Sequence, residues 1–125
     1  MLGVEIDTMR KPPAGTPAAP IVSEFASDPE MAGVIAQFVN ELPARARTLL
    51  DCWRAQNFTE AERTAHQLKG AGAGYGFPSI SLAASRVETD LRGKSAAQVA
   101  AEAERIAADV RSLADLCARA VSRRP

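Results

Sequence analysis

From Met31 to Val121 the large apolar residues recur at intervals of three and four. Sustained over most of a 125-residue chain, this spacing leaves room for little besides a stack of amphipathic helices. The first run is Met31, Val34, Ile35, Phe38, Val39, Leu42, Ala46, Leu49, Leu50 and Trp53, and its phase continues to Gln56. Pro43 interrupts it, removing one amide and crowding the turn before, so a kink near Val39 or two abutting helices is expected. The stripe keeps its phase across Pro43, which favours one bent helix. Asp28-Pro29-Glu30 reads as its start: a capping acid, a proline suited to the first helical position, and an acid at the positive end of the dipole.

Three further helices follow. Either Asn57 or Thr59 can cap the second, since Asn57-x-x-Glu60 and Thr59-x-x-Glu62 both have capping-box spacing; its inward face is Ala61, Ala65, Leu68, Gly72 and Tyr75. Gly76-Phe77-Pro78 breaks it, with Tyr75 and Phe77 read as helix-end core. Pro78 opens a third helix with Ile80, Ala83, Ala84, Val87 and Leu91 inward, ended by Gly93. Ser95-x-x-Gln98 is a capping box opening one long helix, with Val99, Ala103, Ile106, Val110, Leu113, Cys117 and Val121 repeating about every three and a half residues. Four amphipathic helices joined by short loops predict an all-α, up-down antiparallel four-helix bundle. Abundant alanine and few β-branched or aromatic residues agree with this.

The length fits one domain, expected over residues 21–125. Residues 1–20 are rich in proline and alanine and predict a flexible tail. Ile21 to Phe25 predict a short strap or helix that docks Ile21 and Phe25 onto the bundle. Fifteen basic residues balance fifteen acidic ones, so no global field draws in nucleic acid and none is expected as a partner. Cys52 and Cys117 lie on apolar stripes and form no CxxC pair, which predicts reduced, buried, structural thiols. No apolar run is long enough to span a membrane, and Glu5 and Asp7 stand where a signal peptide would be basic and then apolar. A cytoplasmic protein without membrane attachment is expected.

The chemistry centres on His66, the only histidine, in Ala65-His66-Gln67-Leu68-Lys69-Gly70. It follows Ala65 by roughly 100 degrees of helical rotation, which turns it from the inward face toward solvent or a groove edge. Gly70, Gly72 and Gly74 each cost a helix about 1 kcal/mol relative to alanine, so close approach of a neighbouring helix or a partner must compensate. Lys69 one turn after His66 and Arg63 one turn before it suit an arriving anion, and Gly70 removes a side chain that would shadow the imidazole. No second histidine or clustered carboxylate site points to a metal, and no cofactor is expected. No serine sits in a nucleophile elbow, and no Walker-type GxxxxGK[ST] loop is present, so neither a hydrolase triad nor ATP binding is indicated. An exposed imidazole between cations suits nucleophilic attack on phosphorus, with the cations offsetting the oxygens' charge.

The string from Ala65 to Gly70, followed by Gly76, Ile80 and the Val87-Glu88 pair in register, resembles histidine-containing phosphotransfer (HPt) domains. The resemblance covers roughly Ser27 to Val121. It implies a helical-bundle phosphorelay intermediate whose histidine accepts a phosphoryl group from a receiver-domain aspartate and passes it to another. His66 takes the phosphohistidine position, with Nε2 attacking. Lys69 matches the lysine that contacts phosphoryl oxygens, and Gly70 the glycine that leaves room for the receiver. Glu88 falls where a Glu or Gln bonds the other ring nitrogen, fixing the proton on Nδ1. An alternative for Glu88 is an exposed ion pair with Arg92 one turn on. Arg63 and Gln67 complete the candidate partner-binding set with Gly70. The partners implied are response-regulator receiver domains and a hybrid histidine kinase. The chain would be a monomeric carrier with no kinase activity of its own. Two rivals are a helical adaptor that binds and modulates a regulator or kinase without carrying phosphate, and the dimerisation and phosphoacceptor helices of a kinase, which would demand a dimer.

Overall fold

Pro43 does not divide the first helix. Helix α1 (Ala32–Arg54) runs through it unbroken, with Ile35, Phe38, Leu42, Ala46 and Leu49 buried along one face. The structure, a computed structural model, describes residues 19–123. The tail expected over residues 1–20 therefore lies outside the described residues, apart from Ala19 and Pro20. Helix α1 starts later than Asp28-Pro29-Glu30 implies. Asp28 Oδ1 accepts the Glu30 amide at 2.9 Å and the Asp28 carbonyl accepts the Met31 amide at 3.0 Å, so the acid closes a local turn ahead of the helix.

Helix α1 ends in a Schellman arrangement. Gln56 adopts φ 60°, its amide bonds the Trp53 carbonyl at 3.1 Å, and the Asn57 amide bonds the Cys52 carbonyl at 2.8 Å. Of the two candidate caps for α2 (Phe58–Gly74), Asn57 is used: its side chain accepts the Glu60 amide. The expected inward face is buried at Ala61, Ala65, Leu68 and Gly72 and half-buried at Tyr75. Thr64 joins it by turning its hydroxyl back to the Glu60 carbonyl at 2.9 Å. Phe77 is buried and Tyr75 stacks on Phe38 with ring centroids 4.8 Å apart. Helix α3 (Pro78–Leu91) buries all five expected residues, and also Glu88 and Asp90.

The last helix is two. Ser95 and Gln98 form the predicted capping box, but it opens only α4 (Ala96–Ala101), and Glu102 leaves helical geometry at φ −122°, ψ 23° before α5 (Ala103–Arg119). An apolar repeat close to 3.5 drifts about 20 degrees per heptad against a straight 3.6-residue helix. The break resets the phase, so Val99 and then Ile106, Val110, Leu113 and Cys117 all reach the core. Beyond Arg119 the chain is extended. Strand β2 (Ala120–Val121) pairs in parallel with β1 (Ile21–Val22), Ile21 opposite Ala120 and Val22 opposite Val121. The strap is thus a backbone clasp, with Ile21 packed on the core and Phe25 still 40% exposed. Burial pushes the Cys117 thiol up to about 11, whereas Cys52 is only half-buried.

The four long helices form a closed ring, α1 against α2 and α5, and α3 against α2 and α5. Two polar devices tie it. Ser23, itself buried, donates its hydroxyl to the Tyr75 carbonyl, and the Glu24 amide bonds the Gly76 carbonyl at 2.8 Å. Asp90 of α3 takes Arg105 of α5 at 2.7 Å, but among the described residues no donor reaches its buried Oδ2. The Asp109 carboxyl is pushed above the usual range, first by its contact with Asp90 and then by burial.

Two stability outcomes are expected. Gly76 has φ +84°, and a Cβ there would lie 2.5 Å from Ser23 Oγ and 2.9 Å from Phe25 Cδ2, so Gly76→Ala should destabilise by about 3 kcal/mol in urea unfolding. Gly74→Ala, where a Cβ meets nothing within 4 Å, should not. Because the Asp109 pKa is raised on folding, its ionisation opposes folding at neutral pH. Asp109→Asn should raise the thermal midpoint by a few degrees near pH 7, with the gain vanishing once the pH is low enough to protonate Asp109 in the wild type.

Candidate functional site

The local sequence places His66 by assigning its neighbours to the core. Ala65 and Leu68 are fully buried on α2, and His66 stands roughly 100 degrees of rotation beyond Ala65 on the side away from Leu68, so it leaves the buried face. The His66 side chain is 65% exposed. Gly72, one turn and a half further on, is where α3 crosses: a Cβ there would stand 2.9 Å from the Ser81 amide nitrogen and 3.2 Å from Ile80 Cγ2. The Ser81 hydroxyl donates to the Lys69 carbonyl at 2.8 Å, pinning the same two helices. This close approach brings Glu88 of α3 beneath the imidazole.

Glu88 is the centre of the site. Its side chain is 4% exposed, and its oxygens take three donors: His66 Nδ1 on Oε2 at 2.6 Å, Arg92 Nη2 on Oε2 at 2.6 Å and Lys69 Nζ on Oε1 at 3.0 Å. Burial alone pushes this carboxyl up, but the hydrogen bonds from Lys69, His66 and Arg92 outweigh it and hold the group at about 2, below its ordinary 4.5. An ionised carboxylate can only accept, so in the neutral imidazole Nδ1 is the protonated nitrogen and Nε2 carries the free lone pair. The arrangement holds an exposed imidazole nitrogen with a free lone pair over a buried counter-charge.

His66, Lys69 and Glu88 are therefore brought together. Gly70 is exposed, and a Cβ there would meet nothing within 4 Å. Gln67 is exposed beside His66. Arg63 is not drawn in; it pairs with Glu60 at 3.5 Å. The Glu88–Arg92 pair does form, but not as an exposed contact, since the carboxylate is buried. Arg92 is the member of the cluster that sequence reasoning left as a surface charge, and it also approaches Glu62 at 3.9 Å. Its signal was the i, i+4 spacing from Glu88. Among the described residues, no group of three or more His, Cys, Asp or Glu side chains is placed to hold a metal ion. Likewise no helix among them is long and apolar enough to cross a membrane.

The fold and the site together are a helical bundle that exposes one histidine over a buried, ionised carboxylate, and the comparisons with known proteins place this chain in a family. The chain matches the family described as Hpt domain over residues 33–122, more than half its length, and so belongs to the Hpt domain family. No curated protein and no solved structure matches it. Hpt domains carry out histidine phosphotransfer in phosphorelays and work with response-regulator receiver domains and kinases.

The depressed Glu88 pKa sets a pH window. A carboxyl whose folded pKa is lowered contributes stability above its unfolded value of 4.5 and loses it as the pH falls toward about 2. Urea unfolding of wild type and Glu88→Gln across pH should therefore show a wild-type advantage near neutrality that shrinks over that interval.

Proposed function

We propose that this chain is a phosphorelay intermediate in which Nε2 of His66 takes a phosphoryl group from a receiver-domain aspartyl phosphate and yields it to a second receiver aspartate. On uptake a P–N bond forms as the acyl P–O bond breaks, and the aspartate leaves as a free carboxylate; release is the reverse. The observation that carries the reading is the 2.6 Å bond between His66 Nδ1 and the buried Glu88. Phosphorylating neutral imidazole on Nε2 leaves the ring cationic, and Glu88 stands where that charge develops.

In this mechanism Lys69 turns from Glu88 Oε1 toward the phosphoryl oxygens. Gly70, Gln67 and Arg63 face the receiver. The receiver supplies its own magnesium and aspartate, so the chain is a carrier without kinase activity, working as a cytoplasmic monomer and a phosphoprotein. A hybrid histidine kinase is the natural upstream source.

The test is incubation with a receiver carrying labelled phosphoryl. Wild type should take up label and Lys69→Ala should slow uptake about a hundredfold. Label that never reaches wild type, or reaches His66→Gln equally, sinks the proposal. Gly70→Leu separates docking from folding: a better helix former should stabilise by about 0.8 kcal/mol, while its side chain, standing in the receiver's path, slows transfer at least tenfold.

A further inference from the structure

Lys69 cannot serve Glu88 and a phosphoryl group equally well. In the free protein it is, among the described residues, the only side chain bonded to Glu88 Oε1. If it turns to the phosphoryl oxygens, a carboxylate only 4% exposed loses one of its two cations as the reaction proceeds. A buried carboxylate stripped of cations protonates or rotates toward water. Rotation withdraws the acceptor at Nδ1 and protonation weakens it and adds a competing donor, and either frees the imidazole to place its proton on Nε2, the atom that must attack.

Arg92 is built to prevent this. It lies one turn along α3 from Glu88, bonds Oε2 at 2.6 Å, the same oxygen that accepts His66, and has Glu62 behind it at 3.9 Å. The ordinary value of an i, i+4 pair is a few tenths of a kcal/mol because both partners are solvated. Here only Arg92 is solvated: it is 63% exposed and Glu88 is 4% exposed.

Resting on the phosphorelay reading, we propose that Arg92 is a positioning residue for phosphoryl transfer, the cation that stays on Glu88 while Lys69 moves, so that the carboxylate remains aimed at His66 Nδ1. The two cations at the site thus have separate tasks. Lys69 acts on the phosphoryl group, and Arg92 acts on the group that orients the nucleophile.

The experiment is a double-mutant cycle with two readouts: uptake of phosphoryl from phosphoramidate and from a phosphorylated receiver, and the ring-nitrogen chemical shifts of His66 in the free protein. Circular dichroism and thermal midpoint confirm that each variant is folded. Arg92→Gln should slow uptake about tenfold from both donors and, in a protein whose Lys69 is also replaced by glutamine so that no cation is left on Glu88, shift the ring nitrogens toward a mixture of tautomers. In a Glu88→Gln background the same change should have no further effect, because a neutral amide needs no cation. Uptake by Arg92→Gln within twofold of wild type, an unchanged tautomer once Lys69 is also replaced, or equal slowing in both backgrounds would overturn the proposal. Wild type that accepts no phosphoryl from either donor would instead sink the phosphorelay reading, and the ring-nitrogen shifts report on Arg92 in the free protein whatever the donors do.

Discussion

A carboxylate almost shut off from water sits directly under the exposed imidazole of His66, and much of the surrounding architecture follows from keeping it there. Burying an ionised carboxylate without partners costs several kcal/mol. Glu88 avoids that cost only because donors arrive from two helices, His66 and Lys69 from α2 and Arg92 from α3. The separation of those helices is therefore fixed by hydrogen-bond length as well as by packing. The missing side chain at Gly72 and the Ser81 hydroxyl on the Lys69 carbonyl are the structural conditions for it.

The glycines that weaken α2 as a helix have different physical duties. At Gly72 there is no space for a Cβ, at Gly70 there is nothing but space, and at Gly76 the backbone is left-handed and pressed against the clasp. Gly76 completes a Schellman end, the Phe77 amide reaching back to the Gly72 carbonyl at 2.7 Å. The same residue thus ends the histidine-bearing helix and receives the N-terminal strap. Only at Gly72 is the helix's lost propensity compensated by contact within the domain.

Periodicity made the core legible: every inward residue expected on α3 is buried, as are Val99, Ile106, Val110, Leu113 and Cys117. Side-chain caps with local partners were readable too, at Ser95 fully and at Asn57 as one of two options. What escaped depends on contacts distant in sequence. The Ile21–Val22 pairing with Ala120–Val121 has no local pattern, since two residues are too few to alternate. The break at Glu102 answers to the core it must face, and Asp90 reads as a surface acid until Arg105 of α5 is known to meet it. At the site, His66, Lys69 and Glu88 were chosen together from the motif, but the burial of Glu88, and with it the weight of Arg92, belongs to the crossing of α2 and α3.

The clasp also decides how the domain carries load. Because β1 and β2 run parallel, a pull between residue 20 and residue 122 acts along the strands and shears their pairing instead of peeling it one bond at a time. Tension from a tether on either side is borne at this seam and at the bonds from Ser23 to Tyr75 and from Glu24 to Gly76. Tyr75 and Gly76 close the helix that carries His66, so load that passes the seam enters that helix about two and a half turns beyond the imidazole.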